Sequence, residues 1–176
     1  MSRVIFIGNY PPPISGQSIA FKTLIDGYSI KFKDFFVINT IEKAGKRGVI
    51  HRTIDYIGVT LRLLYLLFFK KVDTVYHIVS SHKNGFIRDF VIINISYFFK
   101  KKIVLHSHNG NYDQFYDSCS DLLKRTIFKT VSKADSIIIL SKTLRNTFYF
   151  IEEDSKLSYV NNGLPVERPE VLNQSN

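Results

Sequence analysis

The chain has 176 residues, which suits one α/β domain with a short tail, because single cores form in chains of roughly 100 to 200 residues. Its composition, 45% apolar and 22% charged, provides a core and excludes the disordered and low-complexity classes. The formal charge of +9 would serve nucleic acid, anionic lipid or a phosphorylated ligand equally, while the lone Cys119 excludes an internal disulfide and fits a reducing cytoplasm.

Arg3 to Ile7 reads as a buried strand, and Gly8-Asn9-Tyr10-Pro11-Pro12-Pro13 then forbids regular structure, since proline lacks an amide and fixes φ. The opening residues lack the charged segment and long apolar run of a secretory signal, so secretion is not expected. Helical patterning runs from about Gln17 to Tyr28, with Ile19, Ala20, Thr23, Leu24 and Gly27 expected on one face. The alternation continues with a strand over Phe35–Thr40, a helix over Thr53–Phe69, a strand over Thr74–Val79 and a helix over Asn84–Phe99. Ile103–His106 follows as strand, Leu122–Val131 as helix, Ser136–Leu140 as strand, Ser141–Phe150 as helix and Leu157–Val160 as the last strand.

Continuously apolar strands such as Val4-Ile5-Phe6-Ile7 and Ile137-Ile138-Ile139-Leu140 belong to sheets covered on both faces. With alternating β and α, the expected fold class is α/β: a doubly wound, mainly parallel, Rossmann-like sheet with helices on both faces. Ligands in such sheets bind at the carboxyl ends of strands, so the loops after Ile7, Val79, His106 and Leu140 are the places to look for chemistry. Residues 1–163 form the expected domain, and 164–176 read as a linker or tail.

Two stretches join apolar surface to basic residues: Tyr56–Phe69 ahead of Lys70-Lys71, and Phe90–Phe99 ahead of Lys100-Lys101-Lys102. A membrane span needs about 20 apolar residues, and the first stretch is shorter and carries Arg62, so neither is expected to cross a bilayer. Two readings stand: sheet-covering helices with lysines near their C-termini, or peripheral contact with an anionic membrane. Nucleic acid is not an expected partner, because these lysines follow apolar helices and line no recognisable reading surface.

Ser15-Gly16-Gln17 places a glycine where a loop enters a helix, and helix N-termini offer free amides to phosphates. A structural turn is the competing reading; the dinucleotide and P-loop glycine patterns are absent from this loop, which argues against an oxidoreductase. His106-Ser107-His108-Asn109-Gly110 ends a strand, so one imidazole is expected to face the sheet and the other the cleft, suited to proton transfer or hydroxyl positioning. No metal site is expected there. His82 follows Ser80-Ser81 at a strand's carboxyl end and is within reach of the same cleft, whereas His77 reads as a satisfied core histidine. Ser141 is expected to cap helix amides, its flanks lack the pattern of a nucleophilic serine, and Asp135 reads as a turn or positioning residue.

Several motifs in order carry a resemblance: the triple-proline loop leading to Ser15-Gly16, the pair His106 and His108 after a strand, Ala134-Asp135-Ser136-Ile137-Ile138-Ile139-Leu140-Ser141, and Val160-Asn161-Asn162-Gly163. Over nearly its whole length the chain resembles the N-terminal, acceptor-side domain of family 4-type GT-B glycosyltransferases. The resemblance implies transfer of a sugar from a nucleotide-sugar, a co-substrate rather than a resident cofactor, to a hydroxyl of a glycan or lipid-linked acceptor. It implies retained anomeric configuration and no catalytic metal. His108 first and His106 second would position the reacting groups; Ser15, Gly16, Gln17, His82, Asn109, Gly110 and Ser141 would line the acceptor and donor-phosphate region.

Two departures qualify the resemblance. The family's glycine pair is Ser15-Gly16 here, and the C-terminal donor-binding domain is not in the sequence, so a companion chain carrying it is an expected partner. The implied location is cytoplasmic, peripheral at the inner membrane face. The alternative is a non-catalytic Rossmann-like binding or partner module, a remnant or the subunit of a split enzyme.

Overall fold

Six runs rich in branched and aromatic residues form strands: β1 (Val4–Gly8), β2 (Phe35–Asn39), β3 (Thr74–Ile78), β4 (Lys102–Ser107), β5 (Ser136–Ile139) and β6 (Leu157–Tyr159). The computed structural model describes residues 3–40 and 49–160. All strands are parallel, in the order β2-β1-β3-β4-β5-β6. The chain leaves β1 toward one edge and returns past it to β3, so the topological switch point lies between β1 and β3, the crevice where open α/β sheets take ligands. This is the expected doubly wound α/β fold.

The helices are α1 (Gly16–Lys31), α2 (Val49–Phe69), α3 (Lys83–Phe98), α4 (Tyr112–Asp117) and α5 (Asp121–Val131). Alternation along the strands sends Phe6, Tyr76 and Ile78 to one face, against Phe21 and Ile25 of α1. Ile5, Ile7, Ile38 and Val75 point the other way, against Val59, Leu63 and Leu66 of α2 and Ile92 of α3. Farther along that face, Ile103, Leu105, Ile137 and Ile139 pack with Phe86, Ile93, Tyr112, Phe115, Ile127 and Phe148. Cys119 is buried in this cluster.

At the amino-terminal edge of the sheet, two aspartates hold the strand register by the same device. The Arg3 amide donates to Asp73 Oδ2 at 2.8 Å while the Asp73 amide donates to the Arg3 carbonyl at 3.0 Å. The Ile103 amide donates to Asp135 Oδ2 at 2.7 Å while the Asp135 amide returns to the Ile103 carbonyl at 2.9 Å. Asp135 thus has the positioning role expected of it.

Two expectations require correction, and one element was not expected. The buried stripe of α1 is Ser18, Phe21 and Ile25, with Leu24 and Tyr28 partly buried, while Ile19 faces solvent; the aromatic at 21, with partners four and seven residues on, decides the face. The short α4 lies in a stretch for which no element was expected, and is anchored by Tyr112 and Phe115. The helix expected over Ser141–Phe150 is a 3₁₀ segment, Lys142–Phe148. Thr147 Oγ1 there donates to the Leu144 carbonyl at 2.7 Å, and Arg145 donates to the carbonyls of Phe148 and Ile151 at 3.0 and 2.8 Å. Side chains thus take up carbonyls that a longer helix would have paired.

Among the described residues, no helix is long and apolar enough to cross a membrane. α2 nonetheless has two apolar sides: opposite its core face, Ile54, Ile57, Leu61, Tyr65 and Phe68 recur at helical spacing and are exposed. The junction Asn161-Asn162-Gly163 and the 164–176 tail lie outside the described residues.

Candidate functional site

The loop after β1 enters α1 through a reciprocal cap. Ser15 Oγ accepts from the Ser18 amide at 3.1 Å, and Ser18 Oγ accepts from the Ser15 amide at 2.8 Å. The amides of Gly16 and Gln17, which precede the first intrahelical bonds, have no partner among the described residues. The loop itself is pinned to β2, since Asn39 Oδ1 accepts from the Tyr10 amide at 3.1 Å and Thr40 Oγ1 donates to Asn9 Oδ1 at 2.7 Å.

The loop after β3 enters α3 differently. His82 holds the cap position with no side-chain bond to the helix amides, so the first-turn amides of α3 have no side-chain cap. Gly85 is required in that turn: a Cβ there would lie 2.4 Å from Ser80 Cβ and 2.5 Å from Ser80 Oγ. The close approach presses the helix N-terminus onto the strand-end loop.

One helical turn on, the fully buried Asp89 organises the wall of the site. Its carboxylate accepts from His77 Nε2 at 2.8 Å, the Ser80 amide at 2.7 Å and Arg88 Nη2 at 2.9 Å. Burial alone would raise its pKa; the charges of Arg88 and His77 and the hydrogen bonds from His77 and the Ser80 amide outweigh burial and hold it below the ordinary carboxylate value. Arg88 Nη2 also donates to Ser80 Oγ at 2.7 Å, which leaves Nη1 as its guanidinium nitrogen with no partner among the described residues. His77, read from its mid-strand position as a satisfied core histidine, is paired through Nε2 only; its Nδ1 is buried with no partner among the described residues.

These elements enclose a polar cleft of about 260 Å³ over the β1/β3 switch point. Ser15, Gln17, Asn9, Thr40, Ser80, His82, Arg88 and Asn109 line it, with Tyr56 from α2. Two helix N-termini and a guanidinium converge on a space otherwise walled by hydroxyls and amides. Such a space suits a phosphate or a polyhydroxylated ligand.

His106 of β4 and His108, just past its end, form a second group beside the cleft. His106 and His108, two residues apart, fall on the same face and stack with ring centroids 4.0 Å apart. The expectation that one would face the sheet and the other the cleft is therefore corrected: His106, paired with Ile78, lies on the α1 side of the sheet, and His108, just past the strand's end, stacks on it rather than lining the cleft. Neither is among the residues lining the cleft.

Burial, with a contribution from His108, pushes the His106 imidazole down to about 3, and burial pushes His108 down to about 4, so both are neutral near pH 7. Burial raises the Tyr76 phenol well above its ordinary value, and it hydrogen-bonds His106 Nδ1. With the phenol donating to Nδ1, the proton of the neutral His106 ring sits on Nε2. That nitrogen and both ring nitrogens of His108 are buried without a partner among the described residues.

Of the residues expected from sequence, Ser15, Gln17, His82 and Asn109 meet at the cleft. A Cβ at Gly16 would meet open space, and Gly110 packs against Leu144. Ser141 stands at the cap position of the 3₁₀ segment without bonding its amides; its hydroxyl pairs with Thr143 Oγ1 at 2.6 Å, a correction to the expected capping role. Arg88, Ser80, Asn9 and Thr40 were not anticipated. The signal for Arg88 was an Arg-Asp pair inside a mostly apolar helix, eleven residues after a mid-strand histidine.

Among the described residues, no group of three or more His, Cys, Asp or Glu side chains could hold a metal ion. A scan against protein-family models finds no match, and no curated protein matches the chain.

Proposed function

We propose that this chain is the acceptor-side half of a GT-B glycosyltransferase of the family 4 type, which moves a sugar from a nucleotide-sugar to a hydroxyl of a glycan or lipid-linked acceptor. The observation that carries the reading is the polar cleft at the switch point, with Arg88 and two helix N-termini converging on it. Arg88 and the open amides would bind an acceptor phosphate or the donor diphosphate, and Ser80, Thr40, Asn9 and Asn109 would hydrogen-bond sugar hydroxyls. His108 and His106 lie beside the cleft rather than on its wall; neutral, with buried ring nitrogens that lack partners among the described residues, they would orient the reacting hydroxyl where the acceptor reaches past Asn109, since a neutral imidazole can both donate and accept. The nucleotide-sugar site would come from a donor-binding domain that closes over the cleft.

The same reading gives the exposed stripe of α2 a use. Beyond the part of it that faces α3, Tyr65 and Phe68 run toward Lys70 and Lys71, and Phe98 of α3 stands beside Lys100–Lys102. Apolar insertion beside basic residues would hold the protein at an anionic leaflet where lipid-linked acceptors lie.

The test is sugar transfer. The chain is incubated with a companion polypeptide carrying a nucleotide-sugar-binding domain, a panel of radiolabelled nucleotide-sugars and a lipid extract of the source cells, and label in the lipid and glycan fractions is counted. Transfer is expected to fall by about 100-fold or more in His108→Ala. Absence of transfer with every donor, or transfer indifferent to substitution of both His106 and His108, would overturn the reading.

A further inference from the structure

Beside the polar cleft, α2 and α3 form an apolar groove of about 390 Å³, walled by Tyr56, Ile57, Leu61, Ile87 and Val91. We infer that this groove holds the hydrocarbon chain of a single-chain phosphate amphiphile whose headgroup sits in the cleft; the inference rests on reading the cleft as an acceptor site.

Continuity is the first argument. Tyr56 lines both spaces, and the consecutive residues Asn84 and Gly85 line the groove and the cleft respectively. The Tyr56 hydroxyl donates to the Asn84 carbonyl at 3.3 Å and forms the sill between them. A ligand crossing that sill would pass from a polar to an apolar wall within one residue.

The groove is also not an unfinished piece of core. The inward side of α2 is already packed through Val59, Leu63, Leu66 and Leu67, whereas Ile57, Leu61 and Ile87 are more than half exposed. Charge complementarity supplies the headgroup: Arg88 lines the cleft with Nη1 unpaired among the described residues, and among those residues no carboxylate lines either space. Size sets the chain number. A methylene fills about the volume of a water molecule, roughly 30 Å³, so the groove accepts on the order of ten methylenes, one chain rather than two.

Calorimetric titration of the full chain with inorganic phosphate, octyl phosphate and dodecyl phosphate, each below its micelle concentration, tests this. Dodecyl phosphate is expected to bind at least about tenfold more tightly than octyl phosphate, because each buried methylene adds to affinity. In the double variant Leu61→Gln/Ile87→Gln, whose sites are exposed and tolerate polarity, the chain-length dependence should vanish while inorganic phosphate binding is kept. Arg88→Gln should weaken all three phosphates and preserve their ratio. Phosphate binding without chain-length dependence, or chain-length dependence that survives the double variant, would overturn the groove and leave the cleft reading standing. No binding of any probe would overturn both.

Discussion

Near neutral pH the His106 and His108 rings are uncharged because burial disfavours their cationic forms. In the unfolded chain they take up protons near pH 6.5, so between about 6.5 and their folded values of about 3 and about 4 the unfolded state binds more protons. Stability is then complete above about 6.5 and lost as pH falls through that window. Thermal melting followed from pH 8 to 4 is expected to drop in this range, with a shallower drop in His106→Leu; an unchanged pH profile in that variant would remove the assignment. Asp89 presents the opposite case, a buried anion held by Arg88, His77 and the Ser80 amide. Asp89→Ala strands two buried donors and a cation, and urea unfolding is expected to show a loss of about 3–5 kcal/mol. The histidine pair was legible in the sequence because both stand at a strand end, but their common orientation needed the strand's exact limit. Arg88 was not legible, since its meaning comes from Asp89, His77 and Ser80, which only the packing of α3 on β3 brings together.

The elements that build the cleft differ in how they are held. α1 begins with a reciprocal serine cap, so Ser15→Ala should cost about 1 kcal/mol in chemical denaturation and loosen one lip of the cleft. α3 begins with steric closeness instead, and Gly85→Ala forces a methyl against Ser80. That substitution is expected to cost about 1–3 kcal/mol and to weaken phosphate binding, since the displaced loop carries Ser80 and His82; calorimetry on the folded variant measures the second effect. Strands were the most legible elements, because runs such as Ile137 to Ile139 leave little choice of conformation. The face of α1 was misread because alternation of medium-sized apolar residues gave several candidate stripes, and Phe21 settled the choice only when packed against Phe6 and Ile78. The Lys142–Phe148 segment was misread because a helical period does not separate α from 3₁₀; Thr147 and Arg145 bonding to nearby carbonyls decide it.

Across the molecule, the sheet places the cleft at its carboxyl edge and the aspartate latches at its amino edge, so changes to one are expected to leave the other intact. The α2 and α3 flank adds the exposed apolar stripe with its lysine-bearing ends. Vesicle flotation should recover more protein with anionic than with neutral lipid, and raised salt should reduce the difference; equal recovery on both would remove the membrane assignment. The sequence announced the parallel sheet through its alternation of apolar runs, while the strand order, and with it the position of the switch point, came from long-range pairing that no local pattern records. Cys119 stands 7% exposed among the side chains that join α4 and α5 to β4 and β5. As the chain's lone thiol, it is a built-in clock: the rate at which a thiol reagent labels the native protein reports how often this half of the molecule opens. Ligands that close the cleft can therefore be ranked by how far they slow that clock, without introducing a label.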